Sequence, residues 1–145
     1  MNTPWLWFLN RGAGLVLLPL FTLTVLLGIA STRRRAGSSR WSGLLLSQGL
    51  HRSVSLVTFL VLGVHIASAV VDDYVSIEWW HAIVPFGGQV RPTSLGLGAL
   101  AVDLTVVAAG AALLRRRLSE RAWLWLHRAA YPSWVAALAH TIGMG

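Results

Sequence analysis

The sequence contains no cysteine and no lysine, and it has only five acidic residues against twelve arginines. Without cysteine the chain can form no disulfide, ligate no iron–sulfur cluster through thiolate, attach no c-type haem and carry out no thiol chemistry. Its two methionines, Met1 and Met144, stand near the ends. Any haem iron buried in this chain would therefore have to be held by histidine.

Charged residues make up only 12% of the chain, whereas hydrophobic residues make up 55%. The mean hydropathy of +0.63 is far above that of a soluble domain. Four stretches are apolar over the roughly 20 residues that a helix needs to cross a bilayer. They lie at about 12–32, 43–71, 94–114 and 122–143. We therefore predict an all-α membrane protein, a bundle of four transmembrane helices formed by residues 1–145 as one domain.

The arginines concentrate in two of the three predicted loops. One cluster follows the first stretch and the other precedes the fourth: Arg33, Arg34, Arg35 and Arg40, and Arg115, Arg116, Arg117 and Arg121. The remaining loop, residues 72–93, carries Asp72, Asp73 and Glu78 against Arg91 alone. The positive-inside rule then places both clusters in the cytoplasm and both termini outside, in what we predict to be a bacterial plasma membrane. Charge distributed in this way indicates topology and not a nucleic-acid interface.

Two of the apolar stretches carry a pair of histidines each. The tripeptide Leu-His-Arg occurs twice, around His51 and His127, near the cytoplasmic ends of the second and fourth stretches. A second histidine follows 14 residues after His51 and 13 residues after His127, at His65 and His140. At 1.5 Å per residue these spacings correspond to a rise of about 21 and 20 Å. His51 can then face His127 near the inner surface, and His65 can face His140 near the outer one.

Such pairs suit two b-type haems, one above the other, each held by an imidazole from both helices. The alternatives are a helix–helix hydrogen bond at each histidine, a zinc site, and a transporter whose histidines bind a cation or relay protons. Polar groups in lipid are costly, so four histidines at two matched heights call for a shared cause. Zinc would need its ligands in one place, and these come two by two at depths about 20 Å apart.

One feature of the fourth stretch conflicts with a straight helix. At about 100° per residue, fourteen steps bring His65 within about 40° of His51, whereas thirteen steps put His140 about 140° from His127. Either the two haems approach this helix from different faces, or the helix is distorted. Pro132 lies between the two histidines, where it would kink the axis.

Several charged residues stand where haem propionates would need them. Arg52 and Arg128 directly follow the inner histidines and are candidates for the inner propionates, unless they serve topology alone. Arg11 lies on the outer side and is a candidate partner of an outer propionate or of Asp103. Asp103 is about 13 Å into the third stretch, where it would pair with Arg11, accept a hydrogen bond from a haem-ligating imidazole, or take up a proton.

The outer loop contains the sequence IEWWHAIVPFGG at residues 77–88. Its aromatic and apolar side chains predict an interfacial or re-entrant segment. His81 lies there beside Trp79 and Trp80, close to the expected outer haem. These three residues are our candidates for an outer site that meets an electron acceptor or donates a proton.

The paired histidines, the two LHR settings and the WLWLHRAAY start of the last stretch resemble the ferric reductase-like transmembrane domain. That family is the haem-bearing membrane part of ferric reductases, NADPH oxidases and the bacterial haem-binding membrane subunit of the periplasmic methionine sulfoxide reductase system. The resemblance extends from about Trp5 to Gly143, and its specific part is the four histidines.

This resemblance implies transmembrane electron transfer from a cytoplasmic reduced flavin, through an inner and an outer haem b, to an acceptor outside. It makes His51, His65, His127 and His140 the axial ligands of the haem irons. The chain has four predicted spans where relatives commonly have six. It also lacks a flavin or nicotinamide domain, so this oxidoreductase component would need a cytoplasmic reductase or a flavin bound at its cytoplasmic face.

The electron acceptor is left open by the sequence. Ferric chelates, dioxygen, quinone and a periplasmic or extracellular protein all fit the predicted outer end. A quinol-linked cytochrome of the b561 type is the neighbouring alternative within electron transfer, because it also pairs histidines on a four-helix bundle.

Overall fold

The computed structural model describes residues 4–37, 41–72, 77–89 and 91–144, with side chains from Trp5 to Thr32 and, within those ranges, from Gln48 onward. Arg40 and Asp73 of the predicted loops lie outside the described residues, and so do the side chains of Arg33, Arg34 and Arg35. Every regular element in the described ranges is helical, and these ranges contain no strand.

The chain forms five α-helices and one short 3₁₀ helix over its described residues. The α-helices are α1 Pro4–Gly37, α2 Trp41–Val71, α3 Pro92–Leu113, α4 Glu120–His127 and α5 Ala130–Met144, and the 3₁₀ helix is Trp79–Ala82. Contacts divide the chain into two compact units, Met1–Tyr74 and Val75–Gly145. In the first unit α1 packs against α2, and in the second α3 packs against α5, α4 and the 3₁₀ helix. Each unit is built on a helical hairpin.

Within the described ranges, three helices are long and apolar enough to cross a membrane: Trp5–Thr32, Gln48–Val71 and Pro92–Leu113. Their length and composition suit a lipid bilayer. The first helix begins at Pro4, well before the start predicted near residue 12, so that Arg11 lies on the helix and not ahead of it. Proline at the first helical position is favourable because its missing N–H has no partner to lose there.

The fourth predicted span is formed by two helices, α4 and α5, which are separated at Arg128 and Ala129. There the N–H of Ala129 donates to the oxygen of Leu126 at 3.1 Å, and the N–H of Tyr131 donates to that of Arg128 at 3.0 Å. Bonds that reach back three residues rotate the chain by about 120° per residue instead of about 100°. The expected distortion is therefore present, but it is centred on residues 128–129. Pro132 lies in the first turn of α5, where proline is tolerated.

Small side chains form the packed faces of the helices. In the part of the chain that the structure describes, the buried apolar residues are all alanines: Ala13, Ala99, Ala101, Ala108, Ala111 and Ala136. Large side chains such as Leu60 and Leu113 are exposed. Close backbone approach through small residues, with large apolar side chains outward, is typical of helices that pack in lipid.

Hydroxyl groups join the helices in both units. The Oγ1 atoms of Thr24 on α1 and Thr58 on α2 lie 3.1 Å apart. In the second unit the Oγ of Ser133, which is fully buried, donates to the oxygen of Ala101 at 2.7 Å and lies 2.7 Å from the Oγ1 of Thr105. Such bonds average about 0.6 kcal/mol in membrane helices, so they add specificity to the small-residue packing.

Candidate functional site

The four histidines of the apolar stretches share one hydrogen-bond arrangement. In each of them Nδ1 lies against a main-chain carbonyl oxygen of the neighbouring helix in the same unit. The pairs are His51 with Thr24 at 3.0 Å, His65 with Asn10 at 3.1 Å, His127 with Ala108 at 3.1 Å and His140 with Ser94 at 2.7 Å. A carbonyl oxygen only accepts, so each Nδ1 must carry the hydrogen. In the neutral ring the lone pair is then on Nε2, the atom that can ligate a metal.

The surroundings of His65 confirm this assignment of the hydrogen. The side-chain nitrogen of Asn10 lies 3.4 Å from Nδ1 of His65, which on its own would suggest the opposite tautomer. However, the same nitrogen donates to the main-chain oxygen of His65 at 2.8 Å and to Oγ of Ser68 at 3.2 Å. Its two hydrogens are used in these shorter bonds, so Nδ1 of His65 donates to the oxygen of Asn10.

Glycine stands beside three of the four imidazoles. A Cβ at Gly14 would lie 3.2 Å from the His65 ring, one at Gly28 would lie 3.3 Å from the His51 ring, and one at Gly98 would lie 2.7 Å from Nδ1 of His140. Each glycine follows the corresponding carbonyl residue by four positions, which is one helical turn. The absence of a side chain lets the imidazole reach the carbonyl. The residue at this spacing after Ala108, the partner of His127, is Ala112 and not glycine.

The carbonyl residues that accept from the histidines recur in the two units at the same spacing along the chain. Within each unit the two carbonyl residues are 14 positions apart, Asn10 to Thr24 and Ser94 to Ala108. Corresponding carbonyl residues in the two units are 84 positions apart, since 94 − 10 and 108 − 24 both equal 84. The histidines are spaced 14 apart in the first unit and 13 in the second. The hydrogen bonds at 128–129 that reach back only three residues add rotation to the chain between His127 and His140. Two histidines thirteen residues apart can therefore reach carbonyls of α3 that are fourteen residues apart.

This repeat was the feature that inspection of the sequence missed. The LHR tripeptides indicated a repeat in the helices that carry the histidines. The matching repeat of carbonyl acceptors lies on α1 and α3. The available signal was the spacing of Gly14 and Gly28, which are 14 residues apart as His51 and His65 are.

Both units lie within a single family match. A protein family described as a domain of unknown function, DUF8596, matches residues 5–145. The chain belongs to the DUF8596 family. No curated protein and no solved structure matches it. The match includes all four histidine–carbonyl contacts, so the repeated hairpin lies within one DUF8596 domain.

In this DUF8596 chain the ring of His127 is also stacked on an indole. The rings of Trp123 and His127, one turn apart on α4, have centroids 5.3 Å apart and are inclined by 11°. The guanidinium carbon of Arg115 lies 4.6 Å from the centroid of Trp123. A cation, an indole and an imidazole thus follow one another from the exposed turn after α3 to the histidine. His127, whose carbonyl partner Ala108 is not followed by glycine at this spacing, is thus the histidine that stacks on Trp123.

The four charged residues that the sequence predicted as partners of the haems lie in different surroundings. Arg52 and Arg128 are exposed and directly follow the inner histidines. The guanidinium carbon of Arg11 lies 5.4 Å from the centroid of Trp7. Asp103 is half-buried on α3, and the Nδ1 atoms of the four histidines lie at main-chain carbonyls instead of at its carboxylate. Arg11 and Asp103 belong to different units, and their pairing stays a prediction.

His81 differs from the other four histidines in its tautomer. The main-chain N–H of Glu78 donates to Nδ1 of His81 at 3.0 Å, so the lone pair is on Nδ1 and a neutral ring carries its hydrogen on Nε2. The indole N–H of Trp80 donates to the Glu78 carboxylate at 2.6 Å, and the Trp80 and His81 rings have centroids 3.9 Å apart. The structure thus brings Trp80 and His81 together, while Trp79 is exposed beside them.

Proposed function

We propose that this DUF8596 chain is a membrane cytochrome b that passes electrons across a bilayer through two b-type haems. The observation that carries the proposal is the set of four imidazoles whose Nδ1–H is bonded to a main-chain carbonyl, two in each unit. Metal-ligating histidines almost always donate their other ring N–H in this way, because the bond holds the ring orientation and the tautomer. The resemblance to the ferric reductase-like transmembrane domain supports the same assignment.

The proposed ligands are His51 and His127 for an inner haem, and His65 and His140 for an outer one. Bound haem supplies one-electron redox chemistry at an iron whose potential depends on its ligands and their hydrogen bonds. The residues of this chain orient the imidazoles and keep each Nε2 deprotonated. Gly14, Gly28 and Gly98 leave room for that orientation. Arg52 and Arg128 are the proposed partners of the inner propionates.

The equal spacing in the two units supports a two-haem arrangement. Fourteen residues of α2 separate His51 from His65, a rise of about 21 Å. The carbonyls that receive His127 and His140 are likewise fourteen residues apart on α3. Two stacked bis-histidine haems require two hairpins that each carry a pair of imidazoles at the same separation, and both units meet this requirement.

We further propose that α4 and α5 together form a fourth span, with both termini outside in a bacterial plasma membrane. The arginine-rich turn after α3 would then face the cytoplasm, and Arg115, Arg116 and Arg117 are exposed there. An exposed basic turn suits an acidic reductase or a flavin phosphate as electron donor. Electrons would leave the outer haem for an acceptor on the other side.

A site for zinc or a related transported metal is less well supported. A closed zinc site needs four ligands in one place. Among the described residues no group of three histidine, cysteine, aspartate or glutamate side chains lies close enough to hold a metal ion. A quinol-linked cytochrome of the b561 type would share the haem ligands, and it differs from the proposal in its electron donor.

A reduced-minus-oxidised spectrum of the purified full-length chain, with haem quantification, tests the proposal. We expect a Soret band that shifts on reduction by dithionite and two haems per chain. The His81→Ala variant is the control and should keep both haems, because its Nδ1 already accepts a main-chain hydrogen bond. A colourless protein that retains zinc or nickel would instead support the transporter.

A further inference from the structure

The segment at residues 79–86, which precedes α3 in the chain, exposes four large apolar side chains. Trp79 is 68% exposed, Ile83 57%, Val84 47% and Phe86 53%. All four lie within eight residues, and we call them the apolar platform. A surface of this kind is unusual on a water-facing loop, where glycine, proline and polar residues dominate.

Local hydrogen bonds and close contacts give the platform a defined shape. The N–H of Glu78 donates to Nδ1 of His81, and its carboxylate accepts the indole N–H of Trp80. Gly87 lies under Trp80, since a Cβ there would come within 2.7 Å of the indole ring. Phe86 has a φ of 63°, a conformation that residues other than glycine rarely adopt. Such strain persists only where the surrounding structure enforces it.

The platform lies along the first turns of α3. A Cβ at Gly96 would come within 2.7 Å of the Phe86 main-chain nitrogen and would collide with its ring, so the absence of a side chain lets the segment lie against the helix. Gly88 is buried between the side chains of Leu95 and His81. Gly96 is four residues from Pro92, the start of α3, which corresponds to a distance of about 6 Å along the axis.

The position of the platform beside the first turns of α3 indicates which surroundings cover its apolar side chains. The helix α3 is long and apolar enough to cross a membrane, and its first turns must then pass through the boundary between headgroups and acyl chains. Apolar side chains of an interfacial segment are buried about 5–10 Å into this boundary. Tryptophan is enriched there because its ring is both apolar and polar.

We propose that the apolar platform is a phospholipid-binding surface, embedded at the headgroup–acyl boundary of the leaflet that surrounds the start of α3. The packing on Gly96 fixes its level, and the bonds to Glu78 hold Trp80 and His81 against each other within the same segment. The exposed Trp79 ring then contacts lipid and not a docked protein. This inference does not depend on the haem proposal.

Single cysteines test the proposal without background, because the chain has none of its own. Ile83→Cys and Val84→Cys, both at exposed positions, would be labelled with bimane in the full chain and reconstituted into phosphatidylcholine vesicles. Gln89→Cys, at an exposed polar position of the same segment, is the matched control. Leu60→Cys, 72% exposed in the middle of α2, is the reference for deep burial in lipid.

We expect phosphatidylcholine spin-labelled near the headgroup to quench the labels at 83 and 84 at least about threefold more than the label at 89. Spin labels near the acyl end should quench the label at 60 most strongly. Iodide in the water phase should quench position 89 in preference to 83 and 84. Equal iodide quenching at 83, 84 and 89 would overturn the proposal. Protection of 83 and 84 from both lipid quenchers and iodide would also overturn it, because it would indicate cover by protein.

Discussion

The imidazole of His140 lies directly against the backbone of Gly98, where a Cβ would come within 2.7 Å of Nδ1. At Gly14 the nearest distance from a Cβ to the His65 ring is 3.2 Å, and at Gly28 the distance to the His51 ring is 3.3 Å. The space between the glycine and the imidazole is therefore smallest at Gly98 and larger at Gly14 and Gly28. A methyl group at these positions should have graded effects.

We predict that Gly98→Ala displaces the His140 ring from the oxygen of Ser94 and removes the outer haem. Overpacking costs about 1–3 kcal/mol, which exceeds the roughly 0.5–1 kcal/mol that alanine gains over glycine within a helix. Gly14→Ala should retain more haem, because the His65 ring needs a smaller movement. Haem per chain and thermal unfolding in detergent measure both effects. Gly110→Ala on the same helix, with nothing within 4 Å, is the control, and equal haem content in the 98 and 110 variants would contradict the prediction.

The tautomers of the five histidines give a prediction that needs no haem. His51, His65, His127 and His140 should carry the hydrogen on Nδ1, because each Nδ1 faces a carbonyl oxygen. Histidine ¹⁵N spectra of the haem-free chain in detergent, recorded where the rings are neutral, distinguish the two tautomers. His81 is the internal reference and should carry the hydrogen on Nε2. Nε2–H signals from the other four residues would show that the carbonyl contacts do not hold in solution.

The cation above Trp123 should tune the inner haem. A positive charge favours the reduced state of an iron held by His127, so Arg115→Gln should lower the midpoint potential of that haem. A difference of about 0.5–1 kcal/mol in the Coulomb interaction of this charge with the oxidised and the reduced iron would give roughly a two- to fivefold change in the reduction equilibrium constant. Arg116→Gln, at the neighbouring exposed position, is the matched control. Redox titration measures both, and equal shifts in the two variants would mean that general surface charge is responsible.

Loss of single ligands should reveal the pairing. We expect His51→Ala and His127→Ala to deplete the same spectral component, because both are proposed ligands of the inner haem. His65→Ala and His140→Ala should deplete the other component. Haem quantification and spectra of the four variants suffice. Depletion of one component by the His51 and His140 variants together would refute the proposed pairs.

The direction of electron flow can be measured in sealed vesicles of known orientation. Reduced flavin on the cytoplasmic side should reduce both haems, and an impermeant acceptor should reoxidise them only from the outer side. His65→Ala should leave the inner haem reducible and block that reoxidation. If the acceptor rapidly reoxidises the His65→Ala protein with its outer haem confirmed absent, the two-haem route is wrong.

Hydropathy determined the helical class of this protein, and residue identity selected the candidate site residues. An apolar run long enough to cross a bilayer is a local property, so three of the predicted spans coincide with long apolar helices. The four histidines were selected by their spacing. The mismatch between 14 and 13 residues left two alternatives, haems on different faces or a distorted helix, and the structure has a distortion between the two histidines. Both inferences follow from helical rise and rotation, which do not depend on what the helix packs against.

Only the tertiary structure decided which backbone groups receive the imidazoles. Every residue carries a main-chain carbonyl, so the acceptor role of Asn10 or Ser94 has no signature in residue type. The need for glycine at position 98 arises because another helix brings a ring against it. The distortion was placed at Pro132 by its residue type, but the structure has it at Arg128 and Ala129, since a proline in the first turn of a helix removes no hydrogen bond. These features depend on contacts between helices, whereas the spans depend on the composition of each helix alone.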